Sequence, residues 1–110
     1  MTPQHKELSS GRWFSFSFFE QMSNIGSEVI RSIKWKKKNN EAYKNAAFER
    51  ALELFDLTIA DKRNNGRLRE LTRLREAFVD FLDFDNQYGS TDEKWQNYFN
   101  SFNFAARSNI

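Results

Sequence analysis

The feature that most constrains this chain is a spacing. Phe14, Phe18, Met22, Ile25, Val29 and Ile33 follow one another at intervals of four, four, three, four and four residues. An apolar residue every three or four positions marks one face of an α-helix and does not fit the two-residue repeat of a strand. The same spacing returns three times. Tyr43, Ala47, Phe48, Ala51, Leu52, Phe55 and Ile59 place a second helix up to about Ala60. Leu68, Leu71, Leu74, Phe78, Phe81 and Leu82 place a third from about Arg67 to Asp83. Trp95, Phe99, Phe102 and Ala106 place a fourth, with Ser90 and Glu93 spaced as a capping box at its start.

Breaks are few, because the chain holds one proline, Pro3, and four glycines. Asn39-Asn40 and Asn64-Asn65-Gly66 supply turn signals between the periodic segments. Gly26, inside the first helix, costs about 1 kcal/mol of helix propensity against alanine and points to close approach of a neighbouring helix. Short connections between amphipathic helices make consecutive helices antiparallel neighbours. The fold expected is all-α: an antiparallel up-down-up-down four-helix bundle over residues 12–110, with residues 1–11 as a flexible N-terminal tail. At 110 residues such a chain forms one domain and buries a core without staples.

Composition removes most chemistries. There is no cysteine and a single histidine, His5. Disulfides, thiolate or ordinary zinc sites, Ser–His and Cys–His nucleophile pairs and Arg–His nuclease pairs are therefore ruled out, and no glycine-rich phosphate loop occurs. Asp80, Asp83 and Asp85 fail as a calcium loop counted from Asp83, because Tyr88 stands where glycine is needed and Lys94 where a bidentate glutamate is needed. The expectation is a protein that is not an enzyme and carries no cofactor. The longest apolar run, Trp13–Phe19, is too short to span a bilayer and lacks the flanks of a signal peptide. With the missing cysteines, this points to a cytoplasmic protein without a membrane partner.

Charge is nearly balanced, at +2, but unevenly placed. In an antiparallel bundle Lys34, Lys36, Lys37 and Lys38 fall at the same pole as Asp80, Asp83, Asp85, Asp92 and Glu93, and largely cancel. At the opposite pole Lys62, Arg63, Arg67, Arg69, Arg73 and Arg75 crowd the second connection and the first turns of the third helix. Cations there oppose the helix macrodipole, at about 0.3–1 kcal/mol each when unpaired. One reading is an Arg–Glu network using Glu53, Asp56, Asp61 and Glu70. The other is an anion-binding surface, since guanidinium forks match phosphate and Asn64 adds donors beside them. Trp35, Tyr43, Tyr88, Trp95 and Tyr98 add aromatics with polar handles, which roof the core or serve contacts with other molecules.

The stretch holding Trp35, Tyr43, Ala51 and Phe55 resembles a tetratricopeptide repeat unit, but Arg63 stands where the closing proline would fall, and no second copy follows 34 residues after Ala51. The segments GSEVIRSIKWKKKNNEAYKNAAFERALELFDLTIAD, RLRELTRLREAFVDFL and FDNQYGSTDEKWQNYF resemble a recurring family of short prokaryotic helical proteins, across residues 22–107. In size, helicity and basic balance the chain is also similar to the four-helix accessory proteins of diversity-generating retroelements and to ribosomal-RNA intervening-sequence proteins. That likeness implies a ring-forming homo-oligomer that binds nucleic acid beside a larger protein such as a reverse transcriptase. It carries over no site residue.

The function expected is a non-enzymatic accessory or binding module. It contacts RNA, DNA or an acidic partner through Lys62, Arg63, Asn64, Arg67, Arg69, Arg73 and Arg75. The alternative is a protein–protein adaptor or self-assembling scaffold that uses aromatic contacts.

Overall fold

The computed structural model describes residues 11–108, with side chains up to Ala106. Among the described residues four α-helices form the fold: α1 (Phe18–Lys37), α2 (Glu41–Ala60), α3 (Leu68–Asp83) and α4 (Asp92–Ser108). Two 3-10 segments, Arg12–Ser15 and Lys62–Arg67, precede α1 and α3, and the described residues contain no strand. The chain is all-α. The tail expected over residues 1–11 lies outside the described residues except for Gly11, as does the end of the bundle beyond residue 108.

The first helix begins later than its apolar spacing suggests. Ser17 and Glu20 form a reciprocal capping box, with Ser17 N–H donating to Glu20 Oε1 at 2.9 Å and Glu20 N–H to Ser17 Oγ at 3.1 Å. This pair satisfies helix-end donors and starts α1 at Phe18. The residues before it take a separate 3-10 turn that buries Trp13 completely and leaves Phe14 exposed, so Phe14 is not part of the core stripe.

Side-chain contacts join the helices at particular points. α1 pairs its last turn with the first of α2, where Trp35 and Tyr43 meet edge-on at 4.8 Å. Its start meets the far end of α4 through Phe18 and Phe102, 5.8 Å apart, and through a Ser23–Asn103 hydrogen bond. α2 and α3 are tied by Lys44–Asp83, from the start of α2 to the end of α3, and by Arg75–Asp56, from the middle of α3 to the last turns of α2. α3 and α4 cross-link where the Tyr98 hydroxyl donates to Glu70 Oε1 at 3.0 Å. Backbone approach is closest between α1 and its two neighbours, α2 and α4. Gly26 explains the second of these, because a Cβ there would stand 2.8 Å from the Phe99 side chain.

The core is aromatic. Trp13, Phe55, Phe78 and Phe99 are buried with Met22, Ile25, Val29 and Leu71. Phe78 contacts Phe48, Phe55 and Trp95, and Trp95 stacks on Phe99 at 6.2 Å. α2 departs from its expected face by one residue: Tyr43 is 56% exposed, and Lys44 takes the inward position at 6%. Asp83 and Glu41 hold the Lys44 ammonium at 3.1 and 3.4 Å. Burial alone would depress the Lys44 pKa, but the two carboxylates outweigh it and the net direction is upward.

At the lysine pole, Lys36 donates to the carbonyls of Phe81 and Leu82 and so caps the end of α3, while Lys37 pairs with Asp92. Lys34 and Lys38 lie over the Trp35 ring at 5.5 and 5.3 Å. The N-cap of α4 is Thr91, whose hydroxyl accepts from Lys94 N–H at 3.1 Å. Ser90 is drawn away by a reciprocal pair of hydrogen bonds with Asn86, so the Ser90–Glu93 box does not form. Among the described residues no helix is long and apolar enough to cross a membrane.

Candidate nucleic-acid interface

Asp61 organises the connection that carries the arginines. Its carboxylate accepts the Arg63 backbone N–H at 3.0 Å, capping the Lys62–Arg67 segment, and also accepts Gln21 Nε2 at 2.9 Å and Arg63 Nη2 at 2.6 Å. The group is 4% exposed. The Arg63 hydrogen bonds, against the opposing effect of burial, hold its pKa at about 2 instead of 3.8. Around it lies a closed polar cluster. Trp13 Nε1 donates to Thr58 Oγ1 at 3.0 Å, Thr58 donates to the Leu54 carbonyl, and Gln21 donates to the Trp13 carbonyl at 3.2 Å.

Seven residues were expected to form an anion surface, and the structure divides them. Asn64 is 2% exposed and spends both amide hydrogens internally, on Gln21 Oε1 at 3.0 Å and the Thr58 carbonyl at 2.9 Å. It therefore offers no donor to an outside anion, which corrects its place on the surface. Arg63 is tied to Asp61 and to the Phe16 carbonyl. Arg75 is tied to Asp56 at 2.9 Å. These two are the Arg–carboxylate network that was the rival expectation, so they too leave the anion surface: their forks are already occupied.

Lys62, Arg67, Arg69 and Arg73 remain. All four are exposed, and among the described residues none of them forms an ion pair with a carboxylate. They occupy one 3-10 segment and the first two turns of α3. Arg69 and Arg73, four residues apart, share a helix face. Arg67 is held by an aromatic ring, its guanidinium carbon 4.1 Å from the centre of Phe18. The acids nearest in sequence are engaged elsewhere, since Glu70 accepts the Tyr98 hydroxyl and Glu76 the Tyr88 hydroxyl at 3.2 Å. Arg12 is exposed on the preceding 3-10 segment, and the side chain of Arg107 lies outside the described residues.

Arg73 also borders a groove of about 320 Å³ between α3, the 84–91 connection and α4. Leu74, Ala77 and Trp95 form its apolar wall, and Tyr88 and Tyr98 flank it. Lys94 and Glu70 add one charge of each sign. Burial first, and then Glu70, push the Tyr98 phenol pKa upward, so its proton stays in place. Trp95 is buried, and among the described residues its indole N–H has no acceptor. Tyr88, Trp95 and Tyr98 stood out in the sequence only as aromatics with polar handles. Lys94 and Leu74 gave no signal of joining them.

Among the described residues no group of three metal-ligating side chains gathers. Asp80 accepts the Tyr88 backbone N–H, while Asp83 is held by Lys44. No protein-family model, no curated protein and no solved structure matches this chain, so the site itself carries the functional argument.

Proposed function

We propose that this chain is a non-enzymatic binding module that holds nucleic acid through Lys62, Arg67, Arg69 and Arg73. One observation supports the reading most: four exposed cations without carboxylate partners sit at the positive end of α3, beside two arginines that are paired. Leaving cations there opposes the macrodipole, whereas the neighbouring acids satisfy tyrosines instead. Arg67 rests on the Phe18 ring, but Lys62, Arg69 and Arg73 have no carboxylate partner among the described residues to account for their placement. A polyanion accounts for it, because phosphates pair with guanidinium forks and release counterions.

Fluorescence anisotropy with labelled RNA and DNA over a salt series tests the proposal. Binding that weakens steeply with salt supports it, and no binding at low salt rejects it. Equal displacement of the oligonucleotide by polyglutamate, matched for charge, would move the reading to an acidic protein partner.

A second reading, self-association through aromatic contacts, draws on Phe84, which is 69% exposed at the end of α3. Light scattering that gives a strict monomer at high concentration rejects it.

A further inference from the structure

We propose that the groove between α3 and α4 receives one unpaired base, so that the nucleic acid recognised is single-stranded. The inference rests on the nucleic-acid reading and adds to it the form of the ligand.

Arg73 is the link. It belongs to the unpaired cations and also borders the groove, so a strand whose phosphates lie along Arg69 and Arg73 brings a neighbouring base to the groove mouth. The groove suits a base and not a phosphate. Its wall is Leu74, Ala77 and the Trp95 ring, which offer a phosphate no partner, and the exposed Glu70 carboxylate on its lining accepts from base amino and imino groups. Only one Glu70 oxygen is engaged by Tyr98. Arg73 takes the backbone beside the groove, while the Lys94 ammonium is turned to the Gly89 carbonyl at 3.3 Å.

At about 320 Å³ the cleft lies at the small end of ligand pockets, which run from roughly 300 to 1,000 Å³, and suits a single ring system. Tyr88, half exposed, offers a π-face, and its hydroxyl is moored on Glu76. An aromatic face beside a cationic track is the general means of holding single strands. A duplex keeps its bases stacked inside and cannot fill this cleft without flipping one out.

The test compares three ligands at equal salt by anisotropy: a single strand of about twelve nucleotides, within the range of single-strand sites, the same strand made abasic, and a duplex. The expected order places the base-bearing strand about tenfold tighter than either other ligand. Tyr88→Ala should lower single-strand affinity about tenfold, and Tyr88→Phe, which keeps the ring, should retain it. The abasic comparison uses unaltered protein and so does not depend on any variant folding. Equal affinity for all three ligands would overturn the groove assignment and leave the cationic surface standing. No binding of any ligand at low salt would overturn both.

Discussion

The guanidinium carbon of Arg67 lies 4.1 Å from the centre of the Phe18 ring. The contact joins the last residue of the connection before α3 to the first residue of α1, and it fixes one cation of the proposed surface without neutralising it. Phe18 is itself seated by Phe102 at 5.8 Å. Exposed cation–π pairs contribute roughly 0.5–1 kcal/mol. A double-mutant cycle with Arg67→Ala and Phe18→Leu, read by urea denaturation, should return a coupling of that size. Zero coupling would mean that Arg67 is not held by the ring.

Gly26 permits α1 and α4 to touch. A Cβ at this position would meet Phe99 Cβ, Cγ and Cδ1 at 2.8 Å. Alanine normally strengthens a helix interior by about 1 kcal/mol over glycine. Here overpacking should dominate, so Gly26→Ala should destabilise by about 1–2 kcal/mol in urea. An increase in stability would contradict the packing described for this pair of helices.

The pH response follows from Asp61. Its folded carboxyl titrates at about 2, below the ordinary 3.8, so the folded state binds fewer protons than the unfolded state in that interval. The stabilisation is complete above the ordinary value and disappears as pH falls through about 2. A shift of this size corresponds to about 2 kcal/mol. Urea midpoints measured between pH 5 and pH 2 should fall, and Asp61→Asn should flatten that dependence. The variant should also be less stable at neutral pH, because the Arg63 pair and the cap are weakened.

Much of the fold was legible because helical spacing survives without knowledge of contacts. The reach of α2 to Ala60, the close approach at Gly26 and the crowding of arginines before α3 could all be read from residue order. The start of α1 was obscured because Ser17 and Glu20 sit inside an apolar run that continues the stripe upstream. The sequence favours Tyr43 over Lys44 as the inward residue, because one residue turns a helix face by about 100° and an apolar ring looks like the better core candidate. Asn64 reads as a surface donor for a different reason. Its two acceptors, Gln21 Oε1 and the Thr58 carbonyl, lie 43 and 6 residues away, so only folding shows that its donors are already used. The division of the arginines into paired and unpaired also depends on partners such as Asp56, 19 residues from Arg75.

The most direct measurement of the central claim is the salt dependence of single-strand binding by the unaltered chain and by the Arg67→Gln, Arg69→Gln, Arg73→Gln triple variant. Each phosphate contact on a single strand contributes about −0.7 to the slope of log affinity against log salt. Four unpaired cations therefore predict a slope of about −3, and the variant, left with Lys62, should approach −1 while keeping its helical circular dichroism. Identical slopes for the two proteins, or a slope near zero for the unaltered chain, would show that these side chains do not carry the interaction.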